Sequence, residues 1–367
     1  MKLVSTKSDL LKAVNISLRA VPVRSTIPIL QCILINAASG QIKFTTNDME
    51  MGIETIVPGM ILEEGMIALD ARMFSDIVRK LPDDDVTLAT DENMVASIFC
   101  GKTKFNISGQ EGDDFTALPV LEKEDCVIMS QLTLKDTILK TNFSLSASEN
   151  SKMMTRELFE INGSGLKVFS LDGHRVAIRR VELKDTYSNK KVVVPGKTLQ
   201  EVSKILSSEA EETVCLYFMN NHIIFEFPGT TVVSSLIEGD YYDIDHMLSR
   251  DYETKVRVNR QILLSCIDRA TLFVREGDKK PIIMNIQDGF MKLNIDSPLG
   301  SMDEDVDIEK EGRDIMIGFN PKFMIDALKA IDDEEVTLYL LNPKAPCFIR
   351  DEGETYTYIV LPVNFVR

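Results

Sequence analysis

The chain has 367 residues, of which 44% are hydrophobic and 27% charged, the balance of an ordinary soluble protein. Its formal net charge of −16 argues against nucleic acid as a partner on average composition. It carries no run of 18 apolar residues and no secretory leader pattern, and its six cysteines (32, 100, 126, 215, 266 and 347) form no CxxC pair. These features predict a cytoplasmic chain with free thiols, no membrane span, and no metal or cofactor.

The first predicted element is a helix over Ser8–Ala20, followed by a period-two stretch over Gln41–Val57 with turn residues at its centre. Ile67–Leu81, IALDARMFSDIVRKL, is a short apolar run, a turn and an amphipathic helix. The acidic stretch EGDDF at Glu111–Phe115 then leads through Leu121–Asp125 into a second round. That round holds a helix over Leu134–Phe143, alternating residues over Gly165–Leu183, and VVVPGKTLQEVSKIL over Val192–Leu206. EGDYY at Glu238–Tyr242 and SRDYE at Ser249–Glu253 repeat the exit. A third round has a helix over Arg260–Leu272, alternation over Gly289–Ile308, and IGFNPKFMIDALKAI over Ile317–Ile331. It ends in a strand, TYTYIVLPV.

The three fifteen-residue patterns begin at residues 67, 192 and 317, a period of 125. That period is too long for a solenoid repeat and fits a triplicated globular domain, here bounded at 1–122, 128–247 and 254–367. Apolar residues recur at Phe74/Leu199/Met324, Ile77/Val202/Ala327 and Leu81/Leu206/Ile331, the stripe of a helix lying on a core. Each domain divides into two half-units of one helix and about four antiparallel strands. The class is α+β, with two helices and two antiparallel four-stranded sheets per domain.

Basic residues coincide in the same alignment: Arg72, Lys197 and Lys322, then Arg79, Lys204 and Lys329 seven residues later. Seven residues return to one helical face, so each helix shows a basic ridge opposite its apolar stripe. Solvated helix faces paired to Asp76, Glu201 and Asp326 are the plain alternative. Three domains in series also leave two unlike ends that can dock head to tail between copies; a rotation that closes gives a ring, and one that does not gives an open filament. Inward-facing bases in such a ring hold duplex DNA by its phosphates without reading sequence.

The motifs LKAVNISLRAVPVRSTIPIL (11–30), LDGHRVAI (171–178), IGFNPKFMIDAL (317–328) and YIVLPV (358–363) resemble those of the bacterial sliding clamp family, the beta subunit of DNA polymerase III. The resemblance covers the whole chain and implies three DNA-clamp domains in a ring-shaped homodimer. It implies a processivity factor that slides on double-stranded DNA and binds DNA polymerase and clamp loader through linear peptide motifs. Family DNA contacts map to Arg24, Arg72 and Lys197, and dimer contacts to Phe105 and Ile107 against Leu272 and Phe273. The peptide cleft maps to Met154, Leu171, Gly173, His174, Arg175, Val176, Tyr242, His246, Met247, Asn320, Phe323, Pro346, Val360, Leu361, Pro362 and Val363. His246 stands where the family commonly has Arg, Tyr242 where it has Pro, and Lys279 where an aromatic often lines the pocket; Lys344 is polar in an otherwise apolar wall. Asp172 near His174 raises an acid–base pair, but Asp-Gly is foremost a hairpin signal, and no catalytic or phosphate-binding motif appears. The chain is read as no enzyme; a triplicated protein-binding scaffold without DNA is the alternative.

Overall fold

The computed structural model describes residues 1–119, 123, 125–148, 151–237, 239–275 and 280–365. Lys279 lies outside them. The chain divides into two compact units, Met1–Thr133 with Glu201–Ile237, and Leu134–Gln200 with Glu238–Arg367.

In the first unit, helix α1 (Lys7–Ser17) starts at Thr6, whose side chain accepts from the Asp9 amide, and α2 (Ala71–Lys80) starts at Asp70, which accepts from Met73. Their apolar faces bury Leu10, Val14, Phe74 and Val78, and Phe74 meets Phe44 edge-on with centroids 6.0 Å apart. Beneath them lie two antiparallel arrays, one of four strands and one of five. One runs Met51–Val57, Gln41–Asn47, Cys32–Ala38, Gly65–Asp70; the other runs Thr103–Gln110, Val95–Cys100, Asp85–Thr90, Lys2–Thr6, Met60–Glu63. Among the described residues they join only where Ala68 and Leu69 pair with Gln110 and Gly109. The first array continues across the domain boundary: Thr230–Ser235 pairs with Met51–Val57 from Thr230↔Thr55 to Ser234↔Met51. His222–Phe227, Thr213–Phe218 and Val127–Ser130 follow in order.

The remaining helices are α3 (Gln131–Leu139), α4 (Gly196–Ile205), α5 (Arg260–Ala270) and α6 (Pro321–Lys329). In the second unit the strands Gly300–Asp307, Phe290–Ser297, Ile282–Gln287 and Ile315–Phe319 form one sheet. The other holds two long segments, Arg156–Leu171 and Arg175–Pro195, then Tyr356–Val360, Cys347–Arg350, Glu335–Leu340, Thr254–Asn259 and Glu309–Gly312. A straight segment would hold Glu157 and Ser170 about 40 Å apart. Yet Glu157 Oε2 accepts from Thr141 Oγ1 at 2.7 Å and Ser170 Oγ donates to the Thr141 carbonyl at 2.6 Å. The segment therefore folds back at Gly163, whose φ of +62° suits the reversal, and Leu158, Phe169, Ile178 and Val193 gather in one cluster. The result is the expected four strands, 156–161, 165–171, 175–182 and 190–195.

Each expected helix is present. The first of each pair ends in a short 3₁₀ turn, at Leu18–Ala20, Asn142–Ser144 and Thr271–Phe273, so the regular helices stop before the positions read from periodicity. All nine residues of the apolar stripe are buried. The six cysteines are free thiols.

Candidate functional site

The three repeated helices differ in how they begin. Asp70 caps α2 and Asn320 caps α6, each through its side chain, whereas the equivalent position before α4 is Pro195, which has only its fixed φ to offer. Past the cap, Arg72, Arg79, Lys197, Lys204, Lys322 and Lys329 are all exposed, as the ridge requires. Arg72 Nη2 donates to the Val23 carbonyl at 3.4 Å, which brings the loop carrying exposed Arg24 beside α2. Arg79 donates to Asn15 of α1 at 3.2 Å.

The intervening acids do not act alike. Glu201 pairs with Lys204 at 2.7 Å, as the solvated-face alternative expects, and also with Arg19 at 3.5 Å. Asp326 instead reaches Arg175 at 2.6 Å, away from the bases of its own helix.

Arg175 is the centre of the second candidate surface. Its Nε donates to Asp172 at 3.0 Å, Nη1 to Asp326 and Nη2 to the Phe143 carbonyl at 2.6 Å, while its guanidinium lies 4.4 Å from the Phe323 ring centre. Every donor nitrogen is thus engaged inside the protein, and Arg175 offers the cavity an apolar stem and a braced wall. His174 is exposed and stacks on Phe323 with centroids 6.0 Å apart. Asp172 accepts from the amides of His174 and Arg175, so its carboxylate shapes the turn and braces Arg175.

Leu171, Gly173, Arg175 and Val176, with Tyr242, His246, Met247 and Leu361, line a cavity of about 260 Å³. Asp243, Ile244 and Ile359 complete it; the sequence reading named none of them. Ile359 was legible from period two: Val360 packs into the core of domain three, so its neighbour faces the other way. Met154 borders the turn, 3.8 Å from where a Cβ on Gly173 would lie, and Gly173 has φ +85°. The tail is pinned by the Leu361 amide to the His174 carbonyl at 2.9 Å and the Val363 amide to Gly318 at 2.8 Å, with Pro362 between them. Asn320 is the cap of α6, Pro346 is half-buried after an exposed turn containing Lys344, and neither lines the cavity. Tyr242 is exposed, bonds Ser151 at 3.1 Å and packs edge-on to Tyr241.

Two further features lie at strand edges. Phe105 and Ile107 are half-buried on Thr103–Gln110, whose outer edge pairs, among the described residues, only through Gly109 and Gln110. Leu272 is 75% exposed, and Phe273 lies against Gly300 of Gly300–Asp307, which pairs on one side only among the described residues. Among these residues no group of three His, Cys, Asp or Glu could hold a metal ion, and no helix is long and apolar enough to cross a membrane.

Repeated pairs of helices over antiparallel sheets, with exposed bases on three equivalent helices, define a DNA clamp fold. The chain matches the DNA polymerase III beta subunit N-terminal domain over residues 1–119, its central domain over 128–243 and its C-terminal domain over 245–364. It is 35% identical to a beta sliding clamp of Staphylococcus aureus over 95% of this chain and 96% of that one, and 33% identical to that of Staphylococcus epidermidis over 99% of each. Its structure resembles that of a putative DNA polymerase III beta subunit from Eubacterium rectale (TM-score 0.96, 60% identity, 100% of both chains) and the Bacillus subtilis DNA polymerase sliding clamp (0.96, 32%, 100% of both). The chain belongs to the bacterial DNA polymerase III beta subunit family, the beta sliding clamps.

Proposed function

We propose that the chain is a processivity factor: two copies close head to tail into a ring around duplex DNA, slide without sequence preference and tether the replicative polymerase and other replication and repair proteins. What carries this reading is the exposure of paired bases at one register on three equivalent helices of a strongly acidic protein. Arg24, Arg72, Arg79, Lys197, Lys204, Lys322 and Lys329 would meet phosphates, and the acidic remainder would keep DNA from other surfaces. Domains at 1–122, 128–247 and 254–367 supply the three repeats.

The one-sided edge strands support the homodimer. Strand Thr103–Gln110 carries Lys104 and follows Lys102, whereas Gly300–Asp307 carries Asp303, Asp305 and Asp307, so Phe105 and Ile107 would meet Leu272 and Phe273 between complementary charges. The apolar cavity around Leu171, Val176, Met247 and Leu361 would hold linear peptides of polymerase and clamp loader, with His246 in its lining and exposed His174 next to Gly173 and Arg175 in the chain. We place the protein in the cytoplasm and assign it no catalysis. Loading onto a nicked circular duplex and then cutting the circle tests the ring: the protein should stay on the circle and leave the linear form. Equal loss from both forms counts against encirclement and favours a scaffold that does not act on DNA.

A further inference from the structure

The hairpin within 41–57 and the one within 165–183 are built alike. Asp48 Oδ1 accepts from the amides of Glu50 and Met51 at 3.1 and 2.8 Å, as Asp172 does from His174 and Arg175 at 3.0 and 3.2 Å. Each returning strand pairs with the last strand of the following domain, Gly52 opposite Val233 and Val176 opposite Ile359. The next residues close in the same way: the Ser235 amide donates to the Glu50 carbonyl at 2.8 Å, and the Leu361 amide to the His174 carbonyl at 2.9 Å. By this register Asn47, Met49 and Met51 correspond to Leu171, Gly173 and Arg175, and Ser235 to Leu361.

Both sets line cavities. The second is the cleft described above; the first, about 160 Å³, lies where domains one and two meet and is lined on one side by residues 116–119, the segment leaving domain one. The two differ most at a single seat. Val176 contributes a side chain to its wall, but a Cβ on Gly52 would lie 2.0 Å from a Leu118 methyl carbon, and the three nearest atoms all belong to Leu118. An aliphatic side chain from a segment outside any helix or strand therefore fills the position, and Gly52 makes room for it. Charge differs as well, with Glu50 in place of His174 and Met51 in place of Arg175.

We propose that the junction of domains one and two is a second linear-peptide site, held closed by Leu118 of the chain itself. When Leu118 withdraws, the site takes a short extended peptide with an aliphatic anchor and a basic neighbour. The proposal rests on the reading of the Leu171–Leu361 cavity as a peptide cleft. A tethered occupant competes at millimolar effective concentration, which masks the site toward weak ligands in the unaltered chain.

The test uses the full-length protein and two labelled hexapeptides read by fluorescence anisotropy, a basic one, Phe-Thr-Ala-Leu-Lys-Lys, and an acidic one, Phe-Thr-Ala-Leu-Glu-Glu. Leu118→Ala should bind the basic peptide at least about tenfold more tightly than the unaltered chain. Adding Gly52→Val should abolish that gain, because the valine fills the vacated seat, and adding Met247→Asp should leave it intact. Equal binding with and without Leu118, indifference to Gly52→Val, or loss on Met247→Asp overturns the proposal. If Leu118→Ala fails to bind the basic peptide while the acidic one still binds the Met247 cleft, the second site alone falls. If neither peptide binds, the second site falls together with the cleft reading on which it rests.

Discussion

Replacing Glu157 with glutamine should flatten the fall in stability as pH rises from 5.5 to 7.5. Glu157 is fully buried beside Thr141, and loss of hydration pushes its carboxyl from 4.5 up to about 8, against the smaller opposing effect of hydrogen bonds from Thr141 and Asn142. The folded protein thus keeps this proton where the unfolded chain has released it. For a raised carboxyl pKa, the contribution is fully present below 4.5 and is lost as pH climbs toward 8. Each pH unit inside that window costs about 1.4 kcal/mol, so two units cost roughly 2.7 kcal/mol in the native protein and nothing at this position in Glu157→Gln. Urea denaturation of both proteins at pH 5.5, 6.5 and 7.5 reads the difference in slope, to which any constant offset from pairing the amide is irrelevant. Parallel curves would refute the argument. The perturbation reaches the cleft as well, because Thr141 leads directly into the loop whose Phe143 carbonyl holds Arg175.

Arg175→Ala should lower stability by about 3 kcal/mol, since it takes the guanidinium from two carboxylates and a carbonyl, and should weaken peptide binding; thermal denaturation and anisotropy measure the two effects. Replacing Arg72, Lys197 and Lys322 together with alanine removes a phosphate contact at each base in both copies of the ring and should reduce the slope of log K against log salt for duplex DNA by about 5, with no change in sequence preference. Leu272→Asp should shift the protein from dimer to monomer in sedimentation at micromolar concentration, because a carboxylate replaces the most exposed apolar side chain of the proposed contact.

The repeated helices were legible because burial imposes a 3.6-residue period that survives divergence: Phe74, Leu199 and Met324 share little but apolarity, and all are buried. The turn at Asp172-Gly173 was legible from its chemistry, and Gly173 indeed has positive φ. Other features lie between segments and leave no local signal. Pairing of Thr230–Ser235 with Met51–Val57 depends on edges 175 to 183 residues apart in the chain, and main-chain ladders carry no side-chain code. Likewise Asp326 sits in a pattern that suits an ion pair along its own helix, but a better donor, Arg175, arrives from 151 positions away.

The joints between neighbouring repeats are made of peptide groups. Five residue pairs join Thr230–Ser235 to Met51–Val57, and five join the strand beginning at Arg175 to Tyr356–Val360. A seam of amides and carbonyls holds whatever side chains hang from it, so substitutions beside it change what the joint can receive without loosening the joint itself. Duplicated copies of such a domain are therefore free to specialise at their seams. One has glycine at position 52 and houses a leucine from its own chain, while the other presents Val176 to its cavity.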